Sequence, residues 1–219
     1  MKLKVCGMRE PENLKQIAAL LPDYLGFIFY KESKRFCGDT ITPEMLSELP
    51  ASIKKVGVFV NEATESILET VTKYKMDVVQ LHGRETPRQC QELKSAGLEV
   101  IKAFSVDDRF VFENTLLYER YCDYFLFDTR GNNYGGNGTV FDWEILKGYL
   151  SDKPYFLSGG LNLENLKSQE FDRIWPKPFA LDVNSGFEIE PGLKDVEKVR
   201  FLLEQLKIRN SKLGISRLG

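Results

Sequence analysis

Two reactive side chains, Cys6 and Asp128, each stand at the end of a run of β-type residues. Lys2–Cys6 closes on a thiol, and Phe125-Leu126-Phe127-Asp128 closes on a carboxylate. A thiolate can take a proton and a protonated carboxyl can give one, so the pair could serve as base and acid on one substrate. Cysteine ordinarily titrates near about 8.5, so the base role asks for a nearby cation, and Arg9 is the local candidate. Aspartate ordinarily titrates near about 3.9, so the acid role asks for an apolar surround, such as Phe125 and Phe127 offer. Plainer readings stay open: Cys6 as a buried core thiol, and Asp128 as a helix cap or an ion-pair partner of Arg130.

Other groups fall at comparable places. Arg35 follows an apolar run and could clamp a carboxylate bidentately, or be a solvated arginine like Lys31 and Lys34 nearby. Gln80 and the only histidine of the chain, His82, end another run; His82 could be a base, a substrate contact or a structural hydrogen bonder. Gly159-Gly160 and Asn184-Ser185-Gly186, the latter just after Asp182, offer backbone and side-chain donors that suit an anion such as phosphate. After Asp128 come Gly131, Gly135, Gly136 and Gly138, a backbone free to fold over a ligand, before Asp142 opens a helix.

These groups need a scaffold, and the chain supplies a regular one. Strands are expected near Lys2–Cys6, Tyr24–Phe29, Lys54–Val60, Val78–Leu81, Val100–Phe104, Tyr124–Phe127, Tyr155–Leu157 and Phe179–Val183. Most are continuous apolar runs, as befits parallel strands buried on both faces. Helical patterns fill the gaps. Ile67, Val71 and Tyr74 share one face, Thr86-Pro87-Arg88-Gln89 offers a capping box with proline at the first helical position, Thr42-Pro43 repeats the cap-then-proline start, Asn162 can cap a helix carrying Leu163 and Leu166, and Val196, Val199 and Leu203 form a stripe. The stretch from Asp107 to Arg120 carries the weakest pattern.

Eight strands alternating with helices predict an α/β fold, a single-domain (β/α)8 TIM barrel over residues 1–208, with a polar tail from Arg209 to Gly219 that frays. A doubly wound open sheet is the competitor, but Cys6-Gly7-Met8-Arg9 lacks its G-x-G-x-x-G turn. In a barrel, all the polar groups named above fall at one mouth.

Composition narrows the function. The chain has 219 residues, 42% of them hydrophobic and 28% charged, with net charge −2. That is globular composition without the basic surplus of a nucleic-acid binder. No apolar run reaches the roughly 20 residues of a membrane helix, and the N-terminus lacks a signal-peptide core, so a cytoplasmic location is expected. Four scattered cysteines (Cys6, Cys37, Cys90 and Cys122) make no zinc cluster and read as free thiols.

The motifs resemble one family. Lys4-Val5-Cys6-Gly7-Met8-Arg9, Val79-Gln80-Leu81-His82-Gly83, Gly135-Gly136-Asn137-Gly138 with Phe141-Asp142-Trp143, Ser158-Gly159-Gly160-Leu161 and Asp182-Val183-Asn184-Ser185-Gly186 occur in the order found in phosphoribosylanthranilate isomerases. The resemblance spans nearly the whole chain. It implies a metal-free, cofactor-free Amadori rearrangement of N-(5-phosphoribosyl)anthranilate in tryptophan biosynthesis. It implies Asp128 as general acid on the furanose ring oxygen and Cys6 as general base at sugar C2. Arg35 would hold the anthranilate carboxylate, with Gln80, His82, Gly136 and Asp182 also against the substrate. Gly159, Gly160, Asn184 and Ser185 would hold the phosphate, and the loop Gly135–Gly138 would cover the site. Asn137, Ser158 and Asn184 depart from the family's commoner threonine, alanine and serine. The partner implied is this small phosphosugar substrate, with a monomer or homodimer equally compatible.

Two rivals remain. Another phosphosugar barrel enzyme would want several metal-ligating histidines, or an aspartate where Cys6 stands. A phosphate-ligand binding protein would keep the two late loops without needing both Cys6 and Asp128.

Overall fold

The computed structural model describes residues 1–129, 143–174 and 176–212. Eight strands close a parallel barrel in sequence order: β1 (Lys2–Val5), β2 (Tyr24–Ile28), β3 (Lys54–Phe59), β4 (Val78–Leu81), β5 (Glu99–Val106), β6 (Tyr124–Thr129), β7 (Tyr155–Ser158) and β8 (Ala180–Val183). β1 pairs with β8 over four consecutive positions, from Lys2 opposite Ala180 to Val5 opposite Val183, and this closes the ring. The eight expected strands are all present, with ends shifted by one or two residues.

Helices α1 (Pro11–Ala18), α2 (Pro43–Ser47), α3 (Thr64–Tyr74) and α4 (Pro87–Ser95) follow the first four strands. Thr42 and Thr86 each accept a hydrogen bond from the backbone N–H three residues on, with proline at the first helical position. The α3 face Ile67, Val71 and Tyr74 is buried, as its spacing predicts. Gln89 does not complete a capping box; its amide donates instead to Glu62 O. On the far side the connections tighten into 3-10 turns, at Phe112–Tyr118, Trp143–Gly148 and Asn165–Lys167, followed by the short α5 (Gln169–Arg173). Asn162 does cap its turn, accepting from the N–H groups of Glu164 and Asn165.

After β8 a two-stranded ribbon, β9 (Glu188–Glu190) and β10 (Leu193–Lys194), leads into α6 (Val196–Lys212). The barrel's last helix therefore runs past the expected boundary at residue 208. Arg209 pairs with Asp172 and donates to Leu166 O, and Asn210 bonds both the N-terminal amine and the carbonyl of Met1. Residues 213–219 of the expected tail lie outside the described residues. No helix among the described residues is long and apolar enough to cross a membrane.

Strand alternation sorts the core into two. Tyr24, Val56, Val78, Ile101, Leu126, Phe156 and Ala180 form a cluster inside the barrel, while their strand neighbours Leu25, Val79, Val100, Phe125, Phe127, Leu157 and Leu181 join the helices in the outer layer. This corrects the expected surround of Asp128. Phe125 and Phe127 face outward, where Phe127 stacks edge-on with Phe112 and Tyr149. Asp128 faces inward with Leu126, because side chains on a strand alternate between faces.

One charged cluster is built into the wall. Lys102 is buried on β5, with Nζ 2.9 Å from Glu85 Oε2 and donating also to the carbonyls of Leu81, Gly83 and Ala103. Glu85 in turn accepts from the backbone N–H groups of Asn61 and Gly83. Asn61 takes a left-handed φ of 53° and accepts from Arg84 N–H, so it ties two loops together. Removing one member of a buried pair strands the other. Lys102→Met should cost about 3–5 kcal/mol in urea unfolding. Lys54→Met, at the half-exposed Lys54–Glu99 pair, should cost no more than about 1 kcal/mol. Equal losses in the two variants would refute the buried cluster as a keystone of these loops.

Candidate active site

Cys6 directly follows β1, and its N–H donates to Val183 O at 2.9 Å, so strand pairing carries on to the thiol. A Cβ at position 26 would lie 2.7 Å from Cys6 Sγ, so glycine on β2 makes the room that the thiol occupies. Lys4, two residues back on the same face, is fully buried with Nζ 2.8 Å from Asp182 Oδ1. Burial pushes the Cys6 thiol up from its ordinary value; the charges of Lys4 and Lys194 oppose the rise and Asp182 adds to it. The cations beside Cys6 are thus Lys4 and Lys194, not Arg9, which donates to Lys34 O and leans toward Glu10.

Arg35 lies in the loop after β2. Its Nε donates to both oxygens of Glu188, at 2.8 and 3.0 Å, and its Nη2 donates to Oε2 at 2.5 Å. Lys194 donates to the same carboxylate and, at 2.7 Å, to Asn184 Oδ1. A Cβ on Gly7, whose φ is +77°, would meet Arg35 Cδ at 2.8 Å and Asn184 Oδ1 at 2.9 Å. Glycine at that turn therefore lets two ligand-binding candidates converge beside Cys6. Burial alone would raise the Glu188 carboxyl, but the Arg35 hydrogen bond and the Lys194 charge hold it below the ordinary carboxylate range.

Across the mouth, Asp128 near the end of β6 meets His82 just past β4: His82 Nε2 lies 3.4 Å from Asp128 Oδ2. His82 Nδ1 lies 2.8 Å from Gln80 Nε2, and Gln80 is buried. His82 N–H donates to Phe59 O, which fixes the imidazole's backbone at the rim. Gly159 and Gly160 after β7 have φ of +95° and +60°, and a Cβ on Gly160 would touch nothing within 4 Å. Gly186 lies so close to Leu161 O that a Cβ would be 2.2 Å away. The loops after β7 and β8 are therefore in contact, with Ser185 opening the 3-10 turn Ser185–Phe187.

The predicted residues fall into three groups. Cys6, Arg35, Asp182 and Asn184 stand together, Gln80, His82 and Asp128 stand together, and Gly159, Gly160 and Ser185 lie on the adjoining loops. Gly136 and the rest of the loop Gly135–Gly138 lie outside the described residues. Sequence reasoning missed Lys4, Glu188 and Lys194 as members of the site. Lys4 left a signal, a charge in an otherwise apolar strand at the alternation partner of Cys6. Glu188 and Lys194 left none, since only the ribbon β9–β10 folds them back onto Arg35.

The fold and these side chains define a (β/α)8-barrel enzyme whose thiol, imidazole and carboxyl groups gather at the C-terminal mouth of its strands. The family model described as N-(5'phosphoribosyl)anthranilate (PRA) isomerase matches residues 3–205. The N-(5'-phosphoribosyl)anthranilate isomerase of Parabacteroides distasonis is 48% identical over 207 residues, 94% of this chain and 93% of that protein. The one from Phocaeicola vulgatus is 45% identical over 209 residues, 94% and 98% of the two chains. A crystal structure of phosphoribosyl anthranilate isomerase in complex with reduced 1-(o-carboxyphenylamino)-1-deoxyribulose 5-phosphate matches with TM-score 0.78 at 35% identity, covering 94% of this chain and 98% of that one. This chain belongs to the N-(5'-phosphoribosyl)anthranilate isomerase family, isomerases of tryptophan biosynthesis.

The Glu188 cluster has a measurable consequence. A carboxyl held below its unfolded value of 4.5 contributes stability that is fully present above that value and is lost as pH falls through the folded value. Glu188→Gln should therefore lower the urea midpoint at neutral pH, and the gap from wild type should narrow as pH drops below about 4.5. A gap that stays constant down to acid unfolding would show that the pairing of Glu188 contributes nothing.

Proposed function

We propose that this chain catalyses the Amadori rearrangement of N-(5-phosphoribosyl)anthranilate to 1-(2-carboxyphenylamino)-1-deoxyribulose 5-phosphate, with Asp128 as general acid and Cys6 as general base. The observation that carries the reading is the placement of both groups at the same mouth, on β6 and just after β1, beside the touching loops that follow β7 and β8. A sugar lying across the mouth meets a carboxyl on one side and a thiol on the other.

In this reading Asp128 gives its proton to the furanose ring oxygen as the nitrogen lone pair forms the C1–N double bond and the C1–O bond breaks. Cys6 then takes the proton from C2, and those electrons form the enol-amine. Tautomerisation adds a proton at C1 and removes the enol proton, leaving the ketone; solvent resets Cys6 and Asp128 for the next turnover. Arg35, held edge-on by Glu188, keeps its Nη1 end for the anthranilate carboxylate. The N–H groups around Gly159, Gly160 and Ser185 receive the phosphate. Asn184 and Asp182 serve the site through Lys194 and Lys4, the partners they already hold. We place the working enzyme in the cytoplasm, free of metal and organic cofactor, acting on a small phosphosugar rather than on nucleic acid or membrane.

The base must be a thiolate, and burial raises its titration, so turnover should climb with pH through neutrality into the alkaline range. Cys6→Ser should remove that limb. Cys6→Ser and Asp128→Asn should each lower kcat by at least about a hundredfold with the fold intact by circular dichroism. Turnover is read from the loss of substrate fluorescence. Near wild-type kcat in either variant would dismiss the role given to that residue. No turnover of this substrate by the wild-type protein would favour the binding-protein reading.

A further inference from the structure

Gln80 ends up in a place that substrate contact alone does not explain. By alternation it shares the inner face of β4 with Val78, and it is 1% exposed. One end of its carboxamide lies 2.8 Å from His82 Nδ1, and His82 Nε2 lies 3.4 Å from Asp128 Oδ2. Gln80, His82 and Asp128 thus stand in a row of hydrogen-bonding groups that reaches the carboxyl through the imidazole. The other end of the carboxamide, Oε1, is buried with no partner among the described residues. Nothing at that end holds the amide in one orientation.

The two nitrogens of an imidazole are linked: the partner of one fixes the role left to the other. If the Gln80 N–H points at Nδ1, then Nδ1 is an acceptor and the ring proton sits on Nε2. Nε2–H then donates to Asp128 Oδ2, so that oxygen carries no proton and His82 and Asp128 have none to share between them. A half-turn of the amide exchanges donor for acceptor without changing its shape. Gln80 Oε1 then accepts from Nδ1–H, and Nε2 is free to hold a proton jointly with Asp128 Oδ2.

We propose that in the working enzyme Gln80 presents its amide oxygen to His82 Nδ1–H, so that His82 Nε2 and Asp128 Oδ2 share the proton destined for the ring oxygen of the substrate. Gln80 is then a positioning residue, acting on Asp128 through His82. The proposal rests on Asp128 as the general acid. It also removes the need for Phe125 and Phe127 to keep a lone Asp128 protonated, a role their outward orientation denies them.

The chain has a single histidine, so 15N-histidine labelling reports on one ring. A long-range proton–nitrogen correlation of the wild-type protein at neutral pH should show hydrogen on Nδ1. A bare, accepting Nδ1 with hydrogen on Nε2 alone would overturn the proposal. Gln80→Met, which has no oxygen to accept, should lose the Nδ1–H signature and lower kcat at least about tenfold with KM changed less than about threefold. Gln80→Glu, whose carboxylate only accepts, should restore both the signature and most of kcat. Wild-type kcat in Gln80→Met would also sink the idea. The two readings separate cleanly: activity surviving in Asp128→Asn removes the acid role whatever the ring shows, while a bare Nδ1 alongside an inactive Asp128→Asn removes only the role of Gln80.

Discussion

The pairing of β1 with β8 is the constraint from which the rest of the structure follows. Four consecutive register pairs join the first strand to the last, and Cys6 N–H extends them by one more bond to Val183 O. Once the sheet is closed, each strand has one face inside and one outside, and every strand ends at the same mouth. Cys6, His82, Asp128 and the two late loops lie far apart in the chain. Closure alone gathers them. An open sheet with the same strands would leave β1 and β8 on opposite edges and separate Lys4 from Asp182.

Closure also explains why buried charge is tolerated. Lys4, Lys102 and Lys194 are all almost wholly buried, and each has a carboxylate partner: Asp182, Glu85 and Glu188. Replacing such pairs with well-packed apolar groups often leaves stability unchanged or improved, so stability is a weak reason for their presence. Their positions supply a better one. Lys4–Asp182 lies beneath Cys6, Glu188–Lys194 fixes the edge of Arg35, and Lys102–Glu85 ties down the loop that carries His82. Each pair stands one side chain behind a residue of the mouth, where a fixed charge orients a group or biases its titration.

The mouth itself is polar and one-sided. Among the described residues the thiol side holds Lys4, Lys194, Arg35, Asp182 and Glu188, three cations against two carboxylates. Among the described residues the opposite side holds the Asp128 carboxyl, the His82 imidazole and the Gln80 carboxamide in line. A surplus cation on one side suits an anionic substrate and a thiolate. The hydrogen-bonded row on the other suits storage of a proton.

Much of this was legible in the residues. Continuous apolar runs gave all eight strands, because a strand buried on both faces has no polar period to hide. Thr42-Pro43 and Thr86-Pro87 gave the starts of α2 and α4, because capping is local chemistry. Cys6, Arg35, His82 and Asp128 could be named because reactive side chains at the ends of apolar runs stand out against their surroundings. What the sequence could not settle was which way each side chain points and what stands beyond it. Phe125 and Phe127 read as neighbours of Asp128, yet alternation turns them to the outer layer. Arg9 read as the cation near Cys6, yet Lys4 and Lys194 hold that place. Gln80 read as a polar strand end, and the fold adds that it is buried with its amide against His82. Local order in the chain fixes which residues share a strand; only closure of the barrel decides which strand ends face one another, and so which charges a buried group feels.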